Sequence, residues 1–309
     1  MGFFGNMMNN YFYGKAGQKE YTISDMPKNR FELFGAVMKV RWSSLVGINL
    51  LYMIFWIPTL IWIFIGAIGP LLSLESMDAQ MAQSLLMNFL LILIPCILIT
   101  GPFTAGATYV LRNWARDEHS FVWSDFWEAV RKNWKQGLGV SAISAVMPFL
   151  TYVGVNFYMD MIRNSSMVWI VPLGVLIMVS LIWALSEMVI FMMMVTYSLS
   201  FRNLLRNAVL ITMGRLPHAL GIKLLTLVVP AIAFALMMLV PSIQMAVLMI
   251  TILLYIVYMP AFNTLIKVSY ANAMCEKYMN TQIEGAQTNI GLRPEDWDDT
   301  VYRPEDDEE

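Results

Sequence analysis

MVWIVPLGVLIMVSLIWALSEMVIFMMMVTYSL, residues 167–199, carries one charged side chain, Glu187, in an otherwise apolar run. A helix needs about 20 mostly apolar residues to cross a bilayer core. This run exceeds that length, and it lacks the alternating polarity of a barrel strand. It reads as a transmembrane helix. Five more runs of the same kind surround it, at 44–72, 84–111, 137–159, 218–240 and 245–273. The chain therefore reads as an all-α polytopic membrane bundle with six transmembrane helices. Composition agrees, because 58% of the 309 residues are hydrophobic and only 14% are charged. A soluble domain has roughly a quarter charged residues.

The basic residues set the expected orientation. Lys15, Lys19, Lys28, Arg30, Lys39 and Arg41 precede the first run. Arg112, Arg116, Arg131, Lys132 and Lys135 follow the second, and Arg202, Arg206 and Arg215 follow the fourth. The intervening loops carry only Arg163. Positive charge stays inside, so both termini are expected in the cytoplasm. From Gly291 onward nine acids outnumber two bases, an acidic tail that reads as disordered. The body is correspondingly basic, with no Lys/Arg run dense enough for nucleic acid. The first 43 residues hold no cleavable signal peptide pattern. Cys96 and Cys275 make neither a disulfide framework nor a zinc spacing.

A threefold pattern precedes the odd-numbered spans. Phe31, Phe34, Met38 and Trp42 share one helical face, as do Trp123, Trp127, Val130 and Trp134. Leu205, Val209, Met213 and Leu216 form a weaker third stripe. Gly47, Gly139 and Gly221 then open the spans, and Pro58, Pro148 and Pro230 lie inside them. The expectation is three hairpins, each preceded by an amphipathic helix at the cytoplasmic interface. The repeats cover about 31–111, 123–199 and 205–279, with an N-terminal segment 1–30 before them and the tail 280–309 after.

Glu187 is the sharpest candidate residue. A carboxylate in mid-membrane costs about 2.5–3.5 kcal/mol on insertion scales, so it should face the bundle interior. Two readings are open: a proton, cation or substrate site, or a structural acid that ties helices together. Asn49, Asn263, Lys267 and Thr104 lie toward the same side and complete a candidate polar site. Thr104 belongs to "TGPFTAG" (100–106), which is expected to break the second span and let helices approach closely. Methionine is abundant, 26 residues, and reads as pliable core packing. No catalytic motif, metal set or cofactor-binding loop stands out, so no enzyme activity and no cofactor are expected.

The stretch GPFTAGATYVLRNWARDEHSFVWSDFWEAVRKNWKQGLGVSAI (101–143) resembles the YesL family of bacterial integral membrane proteins, a domain-of-unknown-function family. Pro102, Arg112, Arg116 and the "FVWSDFW" segment carry the likeness, and NLLYMIFWIPTL (49–60) is similar to the family's first span. The resemblance implies a bacterial plasma membrane protein. It also implies an accessory or regulatory role beside carbohydrate uptake, with an ABC transporter as partner. The alternative from the residues themselves is a small-solute or ion transporter with a cytoplasm-facing cavity around Glu187.

Overall fold

The structure, a computed structural model, describes residues 26–73 and 78–294. The basic residues Lys15 and Lys19 and the acids from Glu295 onward lie outside the described residues. The described residues are helical and contain no strand. The helices are α1 (Arg30–Met53), α2 (Ile57–Ser73), α3 (Ala79–Leu98), α4 (Gly101–Ala115), α5 (Val122–Asn164), α6 (Ile170–Thr196), α7 (Phe201–Gly214), α8 (Leu216–Leu239), α9 (Gln244–Val257) and α10 (Met259–Tyr278). Among them, five helices are long and apolar enough to cross a membrane, or six if the bent pair α9 and α10 is one span. Their length and composition make this a multi-pass membrane protein.

Two kinds of surface divide the molecule. Ile57, Ile61 and Ile65 on α2, Leu85 and Leu91 on α3, Ile177 and Met178 on α6 and Leu224 and Val228 on α8 are exposed. So large an apolar surface belongs in lipid. The buried core lies at the other end, where the arginine-rich loops are. It joins Leu33 and Val37 of α1, Ala105 to Ala115 of α4, Phe126 and Val130 of α5, Leu185 to Met194 of α6, Leu204 of α7 and Val268 to Cys275 of α10. The methionines of the "FMMMV" run, Met192 to Met194, are buried here as filler.

Two expectations need correction. The second span does not run to residue 111. It ends at Leu98, and α4 begins as a separate, mostly buried helix at Gly101. Pro102 cannot donate into the preceding turn, which ends the helix there. The amphipathic segments before the first and third spans are not separate interfacial helices. Each is the opening of the span helix itself, because nothing between Trp42 and Gly47, or Trp134 and Gly139, forces a stop. Only α7 is separate, and Pro217 after Arg215 explains that break.

The aromatic faces are partly exposed and partly packed on the core. Phe31 and Trp42 are 91% and 61% exposed, while Leu33 and Val37 form the buried stripe. Trp123 and Trp134 are exposed as well, whereas Trp127 packs on the core and Val130 is buried. Phe34 and Met38 pack against the core. The three expected glycines differ too. Only Gly139 has a close neighbour, the Phe201 ring, and Gly47 and Gly221 face open space.

The C-terminal end of α10 ties the core to the start of the described chain. Glu276 is buried and accepts hydrogen bonds from Arg30, from Asn272 Nδ2 at 2.7 Å and from the Asn289 amide at 2.8 Å. The Arg293 amide then donates to the Pro27 carbonyl at 2.9 Å. Gly291 makes this return possible. Its φ is +77°, and a Cβ there would sit 2.8 Å from the Arg116 carbonyl oxygen. Only glycine takes that conformation at so close an approach.

Candidate functional site

Three breaks in helical geometry converge on one region. Between α1 and α2 the chain tightens into a 3-10 turn, Ile54–Trp56. Between α3 and α4 it leaves the helix at Ile99 and Thr100. Between α9 and α10 it bends by 58° at Tyr258. Each break frees backbone groups that lipid cannot satisfy, so side chains must.

Asn49 serves the break at Tyr258. Pro260 has no N–H to offer the Ile256 carbonyl. Asn49 Nδ2 takes that place, donating to Ile256 at 2.7 Å and to Tyr255 at 3.2 Å. Its Oδ1 accepts from the Ala261 amide at 2.8 Å. One fully buried amide thus splints both halves of the broken span. At the other break, Thr100 Oγ1 donates to Ile97 at 2.7 Å and Ser141 Oγ donates to Leu98 at 2.7 Å. Thr59 on α2 donates to Cys96 at 3.1 Å. The close crossing of α4 and α5 is built on glycine: a Cβ on Gly101 would clash with the Gly137 carbonyl and with Ser141 Oγ.

Between these breaks lies a cavity of about 180 Å³. Tyr52 and Trp56 line it from the first span, Thr100 and Thr104 from the second break, and Ser141 and Ser144 from α5. Glu187 enters from α6, and Thr264 and Lys267 from α10. Of the five residues expected to form a site, Glu187, Lys267 and Thr104 meet here. Asn49 and Asn263 do not. Asn49 is spent on the Tyr258 break, and Asn263 Nδ2 reaches the Thr226 carbonyl of α8 at 3.5 Å. The hydroxyls of the lining and the aromatic pair Tyr52 and Trp56, whose rings meet edge to face, are additions that the sequence signals only as scattered Ser, Thr and aromatic residues in apolar runs.

The hydroxyl wall is polarised. Thr100, Thr104, Ser141 and Thr264 each donate their proton to a main-chain carbonyl, of Ile97, Thr100, Leu98 and Pro260 respectively. Tyr52 Oη lies 2.8 Å from Thr104 Oγ1, and since Thr104 has given its proton to Thr100, Tyr52 is the donor. What these threonines and serines offer further is lone pairs. Glu187 accepts no hydrogen bond from any described residue, and no ion pair closes between it and Lys267.

A second charged cluster lies at the end of α4. Arg112 and Arg116 point at one carboxylate, Glu118, at 3.7 and 3.4 Å. Both arginine side chains are nearly buried, and the Nε of each has no acceptor. Burial, and behind it the charge of Arg116, pull the Arg112 guanidinium below its usual range.

The fold and the cavity define a class: a multi-pass helical membrane protein with a polar pocket held between broken spans. Residues 45–155 match the family described as Protein of unknown function, DUF624. The match contains the stretch 101–143 that resembles YesL, and with it the Thr100, Thr104 and Ser141 side of the cavity. Glu187 and Lys267 fall beyond it. No curated protein and no solved structure matches the chain.

Proposed function

We propose that this protein binds a small polar solute within the membrane and carries it across. One observation carries the reading: an acid, a base and a row of hydroxyls share a cavity between helix breaks in an otherwise apolar bundle. Broken spans with freed backbone groups are the usual surroundings of a transporter's binding site. Glu187 is half-buried and faces this cavity without a hydrogen-bond partner among the described residues, which leaves its carboxyl group available to a solute. In this reading the protein sits in a bacterial plasma membrane with the Lys/Arg loops and both termini in the cytoplasm, and the cavity faces that side.

Proteoliposome uptake tests this. The wild-type chain is expected to give saturable uptake of a small polar solute, and Glu187→Gln to abolish it with the fold retained. Undiminished saturable uptake by the variant removes Glu187 from the mechanism. No uptake of any small polar solute by the wild-type chain removes the transport reading.

A second reading rests on the exposed end of α5. Phe121 and Trp123 are largely exposed beside Trp127, Arg131 and Lys132. With the YesL resemblance, this aromatic and basic face supports an accessory role beside a carbohydrate ABC transporter. Detergent co-purification decides it: a chain that emerges alone while the cell's sugar transporters stay assembled has no such partner.

A further inference from the structure

The cavity's donors and acceptors are unequally divided, and the division specifies a ligand. Acceptors dominate the hydroxyl wall, because Thr100, Thr104, Ser141 and Thr264 have committed their protons to main-chain carbonyls. Glu187 adds a carboxylate that accepts from no described residue. Together they suit an ammonium group, which has three protons to give and no lone pair. The aromatic faces of Tyr52 and Trp56 are also favourable surfaces for a cation.

The donors are different, and one is the Ser144 hydroxyl, which accepts from Trp183 Nε1 at 3.1 Å and keeps its own proton. Lys267 supplies a cation, and Trp56 Nε1 is a buried donor beside the Tyr52 hydroxyl. These groups suit a carboxylate. Glu187 and Lys267 line the same cavity, yet they do not close an ion pair. A molecule with both charges satisfies each of them at once, and it leaves the cavity neutral overall. A simple cation would face Lys267, and a simple anion would face Glu187.

Size narrows the class. An apolar cavity of about 150 Å³ accommodates benzene, so about 180 Å³ holds a solute of about six non-hydrogen atoms. A hexose has about twice as many atoms and would extend beyond that volume through the open side of the cavity. Alanine and serine fit within it.

We propose that the cavity binds a small zwitterion, an α-amino acid of about the size of alanine, with its ammonium toward Glu187 and the hydroxyl wall and its carboxylate toward Lys267. This rests on the reading of the cavity as a solute site and deepens it.

The test is equilibrium binding of radiolabelled L-alanine to the purified full chain, with glycine, L-serine, ethylamine, propionate, glycerol and glucose as competitors. Saturable binding displaced by glycine and serine, but by neither single-charge analogue, is expected. Glu187→Gln and Lys267→Met are each expected to weaken it at least about tenfold, the scale of one lost charged hydrogen bond. The competitor panel uses the unaltered chain, so its outcome does not depend on either variant folding. No saturable alanine binding overturns the proposal, as does equal displacement by ethylamine or propionate. Direct binding measurements with labelled glycerol and glucose then separate the two levels. If one of these binds where alanine does not, the zwitterion is excluded and the solute site stands. If none of the three binds, the solute site falls as well.

Discussion

Asn49 on α1 accepts a hydrogen bond from the Ala261 amide at 2.8 Å, across 212 positions of sequence. Its amide nitrogen holds Ile256 on the other side of the same bend. The sixth span is therefore not a helix with a weak point but two helices held in register by a residue from the first span. The bend places Thr264 and Lys267 at the cavity.

Asn49→Leu is expected to destabilise the protein by about 3 kcal/mol, since it strands two carbonyls and an amide in the membrane. Thermal unfolding in detergent measures this. Asn49→Asp keeps the Ala261 contact and loses both donors, so it is expected to be destabilised as well. Stability equal to wild type in both variants would mean that the bend holds itself.

Glycines give a contrast within one protein. Gly101→Ala is expected to cost about 2 kcal/mol or more, because its Cβ would meet the Gly137 carbonyl, a backbone group that cannot step aside. Gly47→Ala and Gly221→Ala place a methyl in open space inside a helix and are expected to gain about 0.5–1 kcal/mol. Unfolding temperatures of the three variants should fall on opposite sides of wild type.

Glu118→Gln removes the carboxylate that Arg112 and Arg116 share. The two nearly buried guanidiniums then face each other without a counter-ion. The expected loss is about 1–2 kcal/mol, reduced from that of a fully buried pair because Glu118 is 39% exposed. Added Arg116→Gln should recover part of the loss. A double-mutant cycle reads the coupling directly.

Orientation is testable with single cysteines. Ser124→Cys near the start of α5 should react with an impermeant maleimide in inside-out vesicles, and Ser166→Cys before α6 in right-side-out vesicles. The same pattern in both preparations would overturn the topology proposed from the basic loops.

Much of the fold is legible in the sequence alone. Apolar length gives the spans, and Glu187, Lys267 and Thr104 stand out as polar residues in apolar runs and do meet. The "TGPFTAG" signal marks a true break. Asn49 and Asn263 stand out on the same grounds, yet they serve other helices. A polar residue in a membrane helix has to find a partner, and sequence does not say whether that partner is a ligand or a stranded carbonyl hundreds of positions away. The aromatic stripes mislead for a related reason. Spacing locates a face, but whether the helix stops after it depends on a breaker, and only Pro217 supplies one.

α5 has 43 residues and, at 1.5 Å per residue, is about 64 Å long, twice the hydrocarbon thickness. It passes the cavity at Ser141 and Ser144 and is crossed by α4 at Gly137. That crossing is a backbone-on-backbone contact, so the two helices have no side chain between them to yield. Ser141, one turn further along, touches both the crossing and the cavity, so the width of the cavity on this side is set by main chain rather than by rotamers.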